Sequence, residues 1–157
     1  MTFRSMRVAL ALVALLGALS AAPASAAYEI AGGYVDTIDG QETWTGHVTW
    51  LSDHRFPWEI TGGYIAARDD FSPKLSPDTF YVSFAKRYVH RSGVFFAGGV
   101  VLTNTDSGDR VLSGPFQFVN GIGWQGERIV VTVRHMSNAN FTGKNRGENL
   151  LTVGWRF

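Results

Sequence analysis

A histidine and a serine two residues apart, His135 and Ser137, end the run Ile129-Val130-Val131-Thr132-Val133-Arg134. Successive side chains of a β-strand point to opposite faces, so residues at i and i+2 share one. An imidazole beside a hydroxyl is the pairing by which a general base activates an oxygen nucleophile. By the same parity Ile129, Val131 and Val133 lie on the face of His135 and Ser137. A polar pair therefore closes an apolar row, and polar groups among apolar ones cost stability unless hydrogen-bonded, so the pair asks for an explanation. The bland alternative is a histidine at the polar edge of an apolar surface. At this point both readings stay open.

The remaining histidines invite less. His47 falls on the polar face of its run, and His54 and His90 sit in turns. There is no cysteine, which excludes a disulfide framework, a thiol nucleophile and a thiolate metal site. No cluster of His, Asp and Glu has metal-ligand spacing and no glycine loop would cradle a phosphate, so neither a metal nor a cofactor is expected.

The elements that must hold the pair are strands. Residues 1–26 read as a secretory signal peptide: Arg4 and Arg7, an apolar run from Val8 to Leu19, then Ala24-Ser25-Ala26. That run is too short for a membrane-spanning helix, which needs about 20 residues. The expected mature domain is 27–157. Losing the two arginines turns the net charge of 14 basic against 13 acidic residues from +1 to about −1, which does not suit a nucleic-acid partner.

After the signal, short runs rich in Val, Ile, Thr and aromatics alternate with turn residues, the mark of an all-β chain. Eight strands are expected, near 28–35, 42–50, 57–67, 80–89, 94–103, 116–124, 129–137 and 150–157. Each approaches the ~9–11 residues of a tilted membrane strand. In the last, Leu151, Val153, Trp155 and Phe157 oppose Thr152, Gly154 and Arg156. In the fourth, Phe80, Val82 and Phe84 oppose Tyr81, Ser83 and Arg87. An apolar outside around a polar or small inside predicts an eight-stranded antiparallel transmembrane β-barrel in the outer membrane. A soluble barrel would reverse the pattern.

Such barrels keep both termini and their short turns on the periplasmic side. Segments 52–56, 90–93 and 125–128 are short, and 69–79, 104–115 and 138–149 are long and polar. With that orientation Trp50, Trp58, Tyr88, Trp124 and Trp155 fall at one level, as an interfacial aromatic girdle would. Ser137 then stands at the outer-leaflet end of its strand. Arg134 is expected to face inward toward Glu29 or Glu59, and Asp69-Asp70 and Asp106/Asp109 to be solvated loop charges.

The segment Arg134-His135-Met136-Ser137-Asn138-Ala139, followed by Asn145-Arg146-Gly147-Glu148-Asn149, resembles the signature of the lipid A 3-O-deacylase family: R-H-x-S-N-A at a strand end, then N-x-G-(x)-E entering the next strand. The resemblance implies an esterase acting on lipid A, with Ser137 as nucleophile, His135 as base and Glu148 orienting the imidazole. It also implies that Asn138 and Asn145 shape the loop or supply oxyanion donors, and that Gly147 permits the tight turn before Glu148. Two departures stand out. Asn140 occupies a position where a small residue is expected, and Lys144 and Arg146 flank Asn145 where a proline is common. The basic pair is open to two readings, solvated charge or contact with lipid phosphates. The acyl groove is expected on the outer wall, with Met136 or Phe141 at its edge. Lipopolysaccharide and outer-membrane lipid are the expected partners. A non-catalytic barrel with a structural or binding role and a phospholipase are the alternative functions.

Overall fold

A computed structural model describes residues 27–36, 42–68, 77–106, 109, 111–141 and 145–157. The expected signal peptide, Asp69-Asp70 and Lys144 lie outside the described residues. Eight strands follow in chain order: β1 (Ala27–Asp36), β2 (Glu42–Leu51), β3 (Trp58–Ile65), β4 (Thr79–Val89), β5 (Val94–Thr103), β6 (Phe116–Gln125), β7 (Ile129–Ser137) and β8 (Glu148–Arg156). Each pairs antiparallel with its neighbours, and β8 pairs with β1 from Glu29↔Arg156 to Asp36↔Asn149, which closes the barrel. Closure leaves no strand edge unpaired, the condition for a sheet to persist in hydrocarbon.

Most strand bounds fall within a residue or two of expectation. The consequential difference is β8, which begins at Glu148 rather than at residue 150. Glu148 is therefore a strand residue with a fixed face.

Parity sorts the side chains as the alternation requires. Ile30, Val82, Phe84, Ile122, Val133, Leu151 and Val153 are exposed on the outer wall. Trp50, Trp58, Tyr88, Trp124 and Trp155 lie toward the end that carries both termini, where Tyr28 pairs with Trp50 and Ile129 with Trp155. A second aromatic cluster occupies the other end, where Trp44 and Phe80 each pack 5.2 Å from Tyr64. The wall thus has an aromatic band at both levels, as a membrane barrel does.

The lumen is filled in two layers. The lower is ionic. Arg87, wholly buried, holds both carboxylate oxygens of Glu29 at 2.8 Å and Glu59 Oε2 through Nε at 2.8 Å. Arg134 pairs with the other oxygen of Glu59. Arg134 does face inward, and of the two acids named from sequence its partner is Glu59. The upper layer is apolar: Val35, Ile65, Tyr81, Val101, Val119, Met136 and Leu150 pack with Val111 and Leu112. Those last two belong to the β5–β6 connection, which folds into the barrel mouth. Asp109 holds it there, accepting the N–H groups of Val111 at 2.7 Å and Leu112 at 3.1 Å. Asp109 is therefore a buried loop anchor, not a solvated charge.

Small barrels bring adjacent backbones close, and glycine permits it. A Cβ at Gly33 would lie 2.0 Å from the carbonyl oxygen of Leu151, across the closing seam.

Candidate active site

β7 carries His135 and Ser137 to the outer end of the wall, both half-buried and on the face of Ile129 and Val133. On one side His135 is paired with Asn149 of β8, on the other with Asn120 of β6. His135 Nδ1 lies 2.8 Å from Asn149 Oδ1. An amide oxygen only accepts, so this bond requires Nδ1–H and leaves Nε2 with a lone pair, the tautomer a general base needs.

Ser137 Oγ accepts a 3.1 Å hydrogen bond from the Ala139 N–H. Among the described residues it is not hydrogen-bonded to His135. Base–nucleophile contacts are often loose before substrate binds.

The expected third member is placed elsewhere. Glu148 is opposite Met136 on β8 and shares the lumenal face of Leu150 and Thr152. Its carboxylate is buried and clasped by Arg68, Nη1 to Oε1 and Nη2 to Oε2, each at 2.7 Å. Glu148 therefore ties the chain after β3 to the start of β8, and the imidazole is held by Asn149. The reason is parity: neighbouring residues on a strand face opposite ways.

The loop residues divide similarly. Asn138 is buried, and its Nδ2 donates to the Ser113 carbonyl at 2.7 Å and lies 3.2 Å from Ser113 Oγ. Its Oδ1 accepts the Asn140 N–H at 2.8 Å. Asn145 donates from Nδ2 to Gln117 Oε1 at 2.9 Å, and its N–H bonds Asn140 Oδ1 at 3.0 Å. Both side chains are thus occupied in building the loop. Ala139 and Asn140 take φ of 54° and 64°, the left-handed region that Asn tolerates better than most residues. The Ala139 N–H, aimed at Ser137 Oγ, is the donor best directed at the reacting atoms.

Gly147 has φ of 72°, as the tight turn requires. It also seats the imidazole: a Cβ there would lie 2.6 Å from His135 Cε1 and 3.0 Å from Nε2. Its N–H bonds the Val111 carbonyl at 3.2 Å, joining this turn to the loop that plugs the mouth.

Along the wall beside Ser137 runs an aromatic ridge. Phe118 is paired with Ser137 and packs 5.4 Å from Phe116 and 6.1 Å from Phe141. Phe141 is exposed beside the pair, as a groove edge would be. Met136, the other residue expected at that edge, is buried in the lumen because it alternates with His135 and Ser137. Arg146 is exposed on the loop.

A model of the family described as lipid A 3-O-deacylase (PagL) matches residues 32–157, most of the chain and all of β2 to β8. The chain belongs to the lipid A 3-O-deacylase family. It is accordingly a carboxylic ester hydrolase of the outer membrane. The crystal structure of the outer membrane enzyme PagL superposes with TM-score 0.54 and 18% identity, over 82% of this chain and 98% of that one. At that identity the likeness is one of fold. The crystal structure of Ail, the attachment invasion locus protein of Yersinia pestis, aligns with TM-score 0.46 and 12% identity, over 85% and 99% of the two chains. No curated protein matches the chain.

Sequence reasoning missed Asn149 and the Ala139 N–H. With the last strand expected to begin at residue 150, position 149 had no face; the strand's actual start at Glu148 puts 149, not 148, on the face of His135.

Proposed function

We propose that this deacylase removes the 3-O acyl chain of lipid A, with Ser137 as nucleophile, His135 as base and Asn149 orienting the imidazole. The observation that carries this reading is the outward-facing His135–Ser137 pair at the lipid wall, its Nδ1 engaged by Asn149 at 2.8 Å. A site on the outer wall meets a lipid substrate by lateral diffusion, without lifting an acyl chain through water.

Ser137 Oγ attacks the ester carbonyl carbon as His135 Nε2 takes the hydroxyl proton. The Ala139 N–H stabilises the oxyanion. Collapse breaks the bond to the sugar oxygen, which leaves with the proton from Nε2, and Ser137 holds the acyl group. Water then attacks that ester, giving its proton to His135. The fatty acid departs and the Ser137 hydroxyl is restored. Asn149 holds the ring but, being neutral, offers the imidazolium no counter-charge. This site therefore relies on orientation more than a triad with a carboxylate does.

Mass spectrometry of lipid A from outer membranes carrying the protein tests the substrate. Loss of one ester-linked acyl chain, absent with Ser137→Ala, is expected. An unchanged lipid A beside deacylated phospholipid would replace the substrate. Loss that persists in Ser137→Ala would remove the nucleophile.

A further inference from the structure

The strand wall carries His135 and Ser137, but the donor aimed at them comes from the loop, and that loop is held from inside the barrel. Ala139 and Asn140 take φ of 54° and 64° in succession. Two neighbouring non-glycine residues in the left-handed region are costly and persist only where their surroundings over-determine them. The Ala139 N–H therefore keeps its aim at Ser137 Oγ only while this pair is held.

A chain of hydrogen bonds holds it, and the chain ends on β6. Asn140 Oδ1 accepts the Asn145 N–H at 3.0 Å. Asn145 Nδ2 donates to Gln117 Oε1 at 2.9 Å, and Gln117 Nε2 donates to the Gly114 carbonyl at 2.6 Å. Gln117 is the second residue of β6, on its lumenal face and wholly buried. A side-chain amide both donates and accepts, and here each end serves a different connection. One end meets the β5–β6 connection and the other the β7–β8 loop. The first tie is duplicated, because Thr105 Oγ1 donates to the same Gly114 carbonyl at 2.8 Å. The second is not: among the described residues Gln117 is the acceptor that Asn145 Nδ2 has.

We propose that Gln117 is a positioning residue for the reaction. Acting from the lumen through Asn145 and Asn140, it sets the direction of the Ala139 N–H on the other side of the wall. Gln117 itself touches neither substrate nor the reacting atoms. This rests on the reading above, in which the Ala139 N–H meets the oxyanion formed at Ser137.

The test uses the full barrel in detergent micelles and two glucosamine substrates, an acyl ester and its thionoester, with sulfur in place of the carbonyl oxygen. Sulfur is a poor hydrogen-bond acceptor, so the ester-to-thionoester ratio of kcat/KM reads the oxyanion donor. A variant that merely lowers the folded fraction leaves this ratio unchanged. Removing such a donor costs about 10²–10³ in kcat, so misdirecting it in Gln117→Leu is expected to lower kcat for the ester, and the ratio, by at least about tenfold, with KM within about twofold. Thr105→Val removes the duplicate bond to Gly114 and is expected to keep the wild-type ratio. Combining Gln117→Leu with Asn145→Ala should lower the ratio no further than the worse single variant, because both cut one chain. Heat-modifiable mobility in gels checks folding, and Gln117→Met, closer in length, takes the place of a Gln117→Leu protein that does not fold. A wild-type ratio in Gln117→Leu, an equal drop in Thr105→Val, or a further drop in the double variant overturns the proposal. Hydrolysis of neither substrate by the wild type, or of both equally, counts against the reading of the site instead. The proposal is then decided by hydrogen exchange at the Ala139 amide. Gln117→Leu must speed it by at least about tenfold over Thr105→Val, and equal rates overturn it.

Discussion

At the scale of single residues, the account turns on which neighbour holds the imidazole. Asn149 bonds His135 Nδ1, while Glu148 faces the lumen under Arg68. Asn149→Leu is expected to lower kcat by about 10²-fold with little change in KM, because an unoriented base loses most of its contribution. Glu148→Ala should act on stability instead. Leaving Arg68 buried without its carboxylate costs about 3–5 kcal/mol, read as a lower unfolding midpoint, while kcat per folded molecule stays near that of the wild type. The opposite pattern would return the orienting role to Glu148. Gly147→Ala forces a methyl group against the imidazole and a left-handed φ on alanine, so kcat should fall by an order of magnitude or more in the same assay. The pair itself was legible in the sequence, because parity alone puts His135 and Ser137 on the face of Ile129 and Val133. The third member was not. With the last strand expected to begin at residue 150, Glu148 counted as loop and had no face to contradict it. Two residues of strand length decide between a carboxylate and an amide.

At the scale of elements, the strands were legible because hydrocarbon outside and a packed lumen inside impose period-two alternation on every segment. The connections were not. The β5–β6 loop carries no periodicity, so nothing in its sequence announced that Val111 and Leu112 plug the mouth or that Asp109 is buried beneath them. The lumenal ionic layer was partly legible. Arg134 could be assigned inward and given acidic partners, but the central cation is Arg87, bound to Glu29 and Glu59 together. Arg87→Met strands the buried carboxylate of Glu29, leaves Glu59 to Arg134 alone, and is expected to cost about 3–5 kcal/mol in a reversible unfolding titration. Adding Glu29→Gln, which leaves the Glu59–Arg134 pair intact, should recover part of that loss. A single Arg87→Met variant as stable as the parent would show the network to be dispensable.

At the scale of the whole molecule, the barrel is turned inside out relative to a soluble one, and that inversion makes a wall-mounted active site workable. The outer face is both the membrane anchor and the substrate's approach. Val133, midway along β7 on that face, reads out the lipid contact. Val133→Arg should destabilise the inserted barrel by about 2–4 kcal/mol, measured by unfolding in lipid vesicles. A neutral outcome would place this wall outside the hydrocarbon. The clustering of Trp50, Trp58, Trp124 and Trp155 toward one end of the barrel was legible from loop lengths and strand parity. The outer aromatic cluster of Trp44, Tyr64 and Phe80 was not singled out, because its members lie on three strands and meet only in the closed sheet.

The central claim is that Ser137 becomes acylated at the lipid wall, and covalent trapping tests it most directly. A long-chain alkyl phosphonate ester, reactive toward activated serines, would be added to outer-membrane vesicles and the modified peptide identified by mass spectrometry. The account predicts phosphonylation of Ser137, abolished in His135→Ala and slowed about 10²-fold in Asn149→Leu. Modification of another serine, or labelling of Ser137 at an unchanged rate without His135, would contradict it.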